Sequence, residues 1–387
     1  MKIGIYGGTF DPVHNGHISI AKAVKNELGL SKVFFVVAAD PPHKHDPSRT
    51  PAAVRFKMMK QTLRYKRGLI ASDIEIARGG VSYTAETLEQ FKKLYPEAEL
   101  YFIVGADMLA NFPTWYRPDR ILELSQLTAV QRMGQEEDLK ALEKRIETDF
   151  GGNIVVTRVC GPDISSTEVR RRMLEAKSIS DIVPFQTELF IYENLLYMPD
   201  ELKQIKEKLA GSLDPERLRH SLLTVREAIL LAEKHGLDTE KARLCALVHD
   251  CAKLRGEKLS ACMRRVGFVP TADEEQNPYL IHARLGAMTA KAEFGIEDPE
   301  ILTAIERHTL GSPDMTPFDE VIFLADKLEP TREYRSIASM RKLAYKNLDE
   351  AVAAVIRNNV EYTESIGKPV HSSTMSTLAA IESRIKS

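Results

Sequence analysis

A chain of 387 residues is long enough for two domains. Its 53 basic and 55 acidic residues leave a formal net charge of −2, which excludes a global basic footprint for nucleic acid. The strongest early apolar run, Val33 to Ala39, is far too short to span a bilayer, so no membrane partner is expected.

The chain opens on a strand pattern and not on a secretory core. Four cysteines (Cys160, Cys245, Cys251, Cys262) form no Cys-x-x-Cys pair. The expectation is a cytoplasmic protein with reduced thiols. In chain order, strands are predicted at Lys2–Tyr6, Lys32–Ala38, Leu69–Ser72, Glu99–Gly105, Gln126–Gln131 and Asn153–Val159. Helical patterns fall between them, at Ile18–Leu28, Pro51–Tyr65, Thr84–Tyr95, Pro118–Leu122 and Glu136–Asp149. Strands rich in Val, Ile and Phe that alternate with helices predict an α/β, doubly wound parallel sheet, with ligands beyond the carboxyl ends of its strands. A terminal helix is expected at Glu188–Tyr197 and a charged amphipathic connector at Asp200–Leu213. From there on only helical patterns appear, at Pro215–His235, Glu240–Lys253, Tyr279–Phe294, Pro299–His308, Phe318–Leu328 and Tyr334–Ser365. The expected organisation is a domain over 1–197, a linker over 198–213 and an all-α domain over 214–387.

The stretch Gly7-Gly8-Thr9-Phe10-Asp11-Pro12-Val13-His14-Asn15-Gly16-His17 lies between the first strand and the first helix. A strand, a glycine turn and a helix N-terminus form a ready anion site, because free N–H groups and the helix dipole face the ligand. Gly7 and Gly8 are expected to allow close backbone approach and unusual torsions there. His14 and His17 can donate to phosphates, more strongly if protonated. This pattern resembles the nucleotidylyltransferase superfamily, with its His-x-Gly-His signature and Rossmann-like fold.

Four later segments agree in order: Pro41-Pro42-His43-Lys44, Gly79 to Thr84, Val104 to Asp107 followed by Trp115, and Ile164 to Arg170. Together they resemble the bacterial nicotinate-mononucleotide adenylyltransferases. That resemblance implies transfer of AMP from ATP, bound with Mg²⁺, to nicotinate mononucleotide in NAD synthesis. It implies that Gly7, Gly8, Thr9, Phe10, His14 and His17 hold the ATP phosphates and that Lys44 adds positive charge. Thr84 would receive the mononucleotide phosphate, Trp115 would stack on the pyridine ring, and Asp107 would lie near the adenosine ribose. Ser165, Ser166, Thr167 and Arg170 would close over ATP. Arg132 begins an Arg-Met-Gly where the family usually shows Arg-Pro-Gly. The alternative is a different nucleotidylyltransferase, for example one acting on pantetheine phosphate; Trp115 and the Gly79–Thr84 segment disfavour it.

In the second half, His220, His249-Asp250, His282, His308 and Asp326 sit on or at the ends of predicted helices, which a bundle brings together. Their order resembles the HD-domain metal phosphohydrolases. The resemblance implies one ion on His220, His249, Asp250 and Asp326, and a second on His282 and His308, with Asp250 bridging. Imidazole and carboxylate donors without thiolate suit iron, manganese or zinc. Lys253, Arg307, Thr309 and Arg332 are expected to hold substrate phosphates. The local motifs, such as His249-Asp250-Cys251-Ala252-Lys253, look like those of bacterial HD hydrolases that split diadenosine tetraphosphate into two ADP. The alternatives are a metal-stabilised regulatory module or hydrolysis of another nucleotide. Nothing in the sequence sets the oligomeric state.

Overall fold

The computed structural model describes residues 1–41, 48–131, 136–151 and 154–386, with the backbone alone at 106–107, 136–141 and 143. Six strands form one sheet: β1 (Lys2–Gly8), β2 (Lys32–Val37), β3 (Leu69–Ser72), β4 (Glu99–Gly105), β5 (Gln126–Gln131) and β6 (Ile154–Cys160). Their order is β3-β2-β1-β4-β5-β6, and every pairing is parallel. Helices cover both faces, so the central strands read as unbroken apolar runs such as Lys32-Val-Phe-Phe-Val-Val37. Ile3, Ile5, Phe35, Leu127 and Ala129 are fully buried. The chain leaves β1 toward β2 on one side and returns to β4 on the other. The carboxyl ends of β1 and β4 therefore flank the crevice where such sheets bind ligands.

Two local expectations are corrected. Gly7 and Gly8 do not make the turn; they continue β1 and pair with Val36 and Val37. Neither has a positive φ, and the left-handed residue is Phe10, at φ 50°. The expected close approach does occur at Gly8, where a Cβ would lie 3.0 Å from the Phe10 ring. The first helix starts earlier than predicted, at Asn15, with His14 as its N-cap.

The chain divides into two compact units. One is Met1–Arg171 with Ile179–Phe190; the other is Arg172–Ser178 with Ile191–Ser387. The second is all helical. Asp200–Ser212 is a helix with Leu202 and Leu209 buried. The Tyr334–Ser365 pattern is two helices, Ile337–Ala344 and Leu348–Ser365. The break falls where the Asn347 side chain accepts from the Glu350 N–H at 3.1 Å and starts a new helix. A further helix, Ser372–Lys386, was not foreseen. Among the described residues, no helix is long and apolar enough to cross a membrane.

Candidate functional sites

A cavity of about 860 Å³ opens at the carboxyl ends of β1 and β4. Gly7, Gly8, Thr9, Phe10 and His17 line one part of it, and Thr84, Trp115 and Tyr83 another. His14 and His17 stack with ring centroids 3.6 Å apart. Gly16 permits this, since a Cβ there would come 2.9 Å from His14 Nδ1. The His14 backbone N–H donates to His17 Nδ1 at 3.2 Å. That leaves the His17 proton on Nε2, ready to donate. Burial lowers His14 to about 4, and burial, then the neighbouring His14, holds His17 well below the usual imidazole range. The free protein therefore carries two neutral rings, not the protonated ones that would bind phosphate more strongly.

The loop after β1 is fastened from three sides. Buried Arg55 donates to the carbonyls of Thr50 (2.8 Å), Thr9 (2.6 Å) and Ala38 (2.8 Å). Asp11 accepts from the Thr50 N–H at 3.1 Å. From the helix Ser166–Leu174, Ser166 donates to Pro12 O at 2.8 Å and Arg170 to Asp11 O at 2.7 Å. Ser165 caps that helix through the Glu168 N–H, and Thr167 contacts Arg170. Ser166 and Arg170 thus reach the loop backbone. Thr84 starts the helix Thr84–Leu94 behind Gly79 and Gly80, which have φ of +72° and +70°. Trp115 packs on Phe112 and Phe102 while lining the cavity. Asp107 lies in the short helix Ala106–Ala110 just after β4. Lys44 and Arg132 fall outside the described residues.

In the second unit the six predicted ligands converge. His220, His249, Asp250 and Asp326 offer atoms all within 4.8 Å of one another, and so do Asp250, His282 and His308. Asp250 divides its oxygens. Its Oδ2 lies 3.5 Å from His249 Nε2 and 3.8 Å from His220 Nε2, and its Oδ1 lies 3.4 Å from His308 Nε2 and 3.6 Å from His282 Nε2. Metal–ligand bonds of about 2.1 Å put neighbouring donors roughly 3.0–3.4 Å apart, close to this spacing. Nε2 of His220 and His249 and Oδ1 of Asp250 are buried without a well-formed hydrogen bond. Such orphaned atoms, all facing inward, fit a divalent cation.

The electrostatics agree. Burial opposes ionisation of Asp250 and Asp326, yet their neighbours, led by His249 and Lys327 respectively, hold both well below the usual carboxylate range. Burial lowers His282 to about 3 and also lowers His308, which favours neutral rings that can act as ligands. Burial alone would lower His249 too, but Asp250 and Asp326 outweigh it and raise it to about 9. The two buried carboxylates demand positive charge.

Around the centre, Arg217 Nη1 lies 2.8 Å and Lys253 Nζ 3.6 Å from Asp250 Oδ2. Lys327 and Arg332 lie 2.8 and 3.2 Å from the oxygens of Asp326. Thr309 Oγ1 is 3.0 Å from His282 Nε2. Arg307 is not brought to the centre. Its guanidinium is taken up by Asp319 (2.8 Å) and Asp314 (2.7 Å). The signal was local: Thr316 and Asp319 form a capping box that places an acid beside it. Arg55, Arg217, Lys327 and Glu329 carry no role in the sequence reading.

The cytidylyltransferase-like family matches residues 5–172, and the HD domain matches residues 217–331. The chain is 37% identical over 197 residues to the "probable nicotinate-nucleotide adenylyltransferase" of Clostridium tetani, covering 51% of this chain and 98% of that protein. A protein of the same description from Clostridium botulinum is 41% identical over equal shares. Among solved structures, a "predicted HD superfamily hydrolase involved in NAD metabolism" from Clostridium acetobutylicum is 35% identical, with a TM-score of 0.44, over 47% of this chain and 97% of that one.

Proposed function

We infer two activities from one premise: the chain belongs to the nicotinate-nucleotide adenylyltransferase family and carries an HD domain behind that half. Residues 1–197 transfer AMP from ATP to nicotinate mononucleotide, releasing pyrophosphate and forming nicotinate adenine dinucleotide. The observation that carries this reading is the cavity shared by the Gly7–Phe10 segment, His17, Thr84 and Trp115. The mononucleotide phosphate is already a nucleophile and needs no general base. The barrier is the approach of two anions and the charge that builds as pyrophosphate leaves. Mg²⁺ brought with ATP would supply charge screening there. His17, with its proton on Nε2, and His14 donate to the phosphates, while Arg55, Ser166 and Arg170 hold the loop in place. Lys44, Asp107, Ser165, Thr167 and Arg132 take the ATP-side roles the resemblance implies, and Trp115 stacks on the pyridine. Given ATP and a panel of nicotinate mononucleotide, nicotinamide mononucleotide and pantetheine phosphate, pyrophosphate release is expected to be fastest with the first. Preference for pantetheine phosphate would overturn the assignment.

Residues 214–387, joined through 198–213, hydrolyse diadenosine tetraphosphate to two ADP. His220, His249, Asp250 and Asp326 would hold one divalent ion and Asp250, His282 and His308 a second. Bound there, such a pair supplies Lewis acidity toward phosphoryl oxygens and lowers the pKa of water. Lys253 and Arg332, with Thr309, meet the polyphosphate. The supporting observation is the split of Asp250's oxygens between the two histidine sets. Protein loaded with Fe²⁺ or Mn²⁺ should release ADP from diadenosine tetraphosphate, and Asp250→Ala should not. If no metal-loaded preparation yields ADP, the hydrolase reading fails and a metal-stabilised module takes its place.

A further inference from the structure

The four imidazoles of the cluster are not oriented alike. Nδ1 of His249, His282 and His308 each faces a backbone carbonyl three residues back: Ala246 (2.7 Å), Tyr279 (2.7 Å) and Ile305 (2.6 Å). His249 and His308 sit at helix C-caps, and Tyr279 sits in the turn ahead of the helix Ile281–Phe294. Carbonyls at such ends are not used by the helical ladder. His220 has no such option. It lies inside the helix Pro215–Lys234, where the preceding carbonyls belong to the ladder. Its Nδ1 instead faces Glu329 Oε1 at 3.3 Å, contributed from 109 residues away.

Glu329 is built for this contact. It is 1% exposed and ends the helix Pro317–Leu328 that carries Asp326. Thr331 pins it, donating its N–H to Oε2 at 2.6 Å and its hydroxyl to Oε1 at 2.5 Å. A carboxylate behind an imidazole fixes the Nδ1–H tautomer and makes Nε2 a stronger donor. The two ligand sets therefore differ in how many carboxylates serve them. The first has Asp326, one oxygen of Asp250 and Glu329 behind His220. The second has the other oxygen of Asp250 and two neutral imidazoles.

We propose that Glu329 is a positioning residue that makes the His220–His249–Asp250–Asp326 set the tighter ion site, so that the two ions load in order. This rests on the reading of the cluster as a two-ion centre. The test is a Co²⁺ titration of the metal-free full chain, followed by visible absorption and by metal analysis after gel filtration. The native protein should bind two ions in two resolved steps. Glu329→Gln should weaken the first step by about 10–100-fold, leave the second unchanged and merge the two. Thr331→Val, which loosens Glu329 without removing it, should move the same step by less. Equal weakening of both steps, or an unchanged first step in Glu329→Gln, overturns the proposal while the two-ion reading stands. A native protein that binds no Co²⁺ overturns both.

Discussion

Chelation should expose a proton that substitutes for a cation. Without an ion, His249 is raised to about 9, because Asp250 and Asp326 outweigh the effect of burial. In the unfolded chain it titrates near 6.5. A group whose folded pKa is raised contributes stability that is fully present below the unfolded value and lost as pH rises through the folded one. The gap of about 2.5 units, at about 1.4 kcal/mol per unit, is worth roughly 3 kcal/mol. Metal-free protein should therefore lose about 3 kcal/mol between pH 6.5 and 9. Metal-loaded protein should not, since a divalent ion displaces the proton. Glu320, raised to about 8 by burial and by nearby Asp349, adds a loss of the same sign, but it occurs in both forms and cancels in their comparison. Urea unfolding at a series of pH values, with EDTA or with excess Mn²⁺, measures the difference. Far-ultraviolet circular dichroism follows the whole chain, and fluorescence of Trp115, its only tryptophan, follows the first half alone. Equal loss of stability in the chelated and loaded proteins would refute the reasoning. Chelated protein should still fold, because protonated His249 and the paired Arg217, Lys253, Lys327 and Arg332 partly offset the two carboxylates.

Three further outcomes are expected in the first half. His17→Ala should lower kcat for adenylyl transfer on the order of 10²-fold, the effect of one lost transition-state donor; near-normal turnover by pyrophosphate release would remove His17 from the mechanism. The His14 ring should titrate near 4 in the free protein, as its ¹⁵N shifts would report; a midpoint near 6.5 would contradict its burial. Arg55→Ala strips three buried carbonyls of their donor. It should cost about 3 kcal/mol or more in Trp115-monitored urea unfolding, and a loss below about 1 kcal/mol would mean that the loop does not depend on it.

The sheet was legible because a strand buried on both faces must be apolar along its whole length, as Val33–Val37 is. The buried His/Asp cluster was legible because the His249-Asp250 doublet and three more helix-borne histidines stand out together, and helices carry such residues into a bundle core. What escaped was set by contacts that only the folded chain makes. Phe10, not a glycine, takes the left-handed torsion, and its ring then packs where Gly8 leaves room. Arg55 is an ordinary helical arginine until the fold buries it among three carbonyls. Glu329 follows the Asp326 helix and acquires its partner only when His220 arrives from the far end of the domain. Arg307 is engaged by acids close in sequence, Asp314 and Asp319, the second held beside it by the capping box with Thr316.

Because three of the cluster's imidazoles are aimed by main-chain carbonyls, their aim does not depend on which side chains occupy Ala246, Tyr279 and Ile305. A substitution at those positions keeps the carbonyl acceptor and acts through packing, since Ala246 and Ile305 are fully buried, whereas a change of helix length redirects the ring. One residue inserted into Thr239–Val248 would turn His249 by about 100° around the helix axis and shift it by about 1.5 Å. The centre is thus brittle to insertion, and tolerated insertions in this half should fall in the turns between helices, outside the segments that end on the cluster.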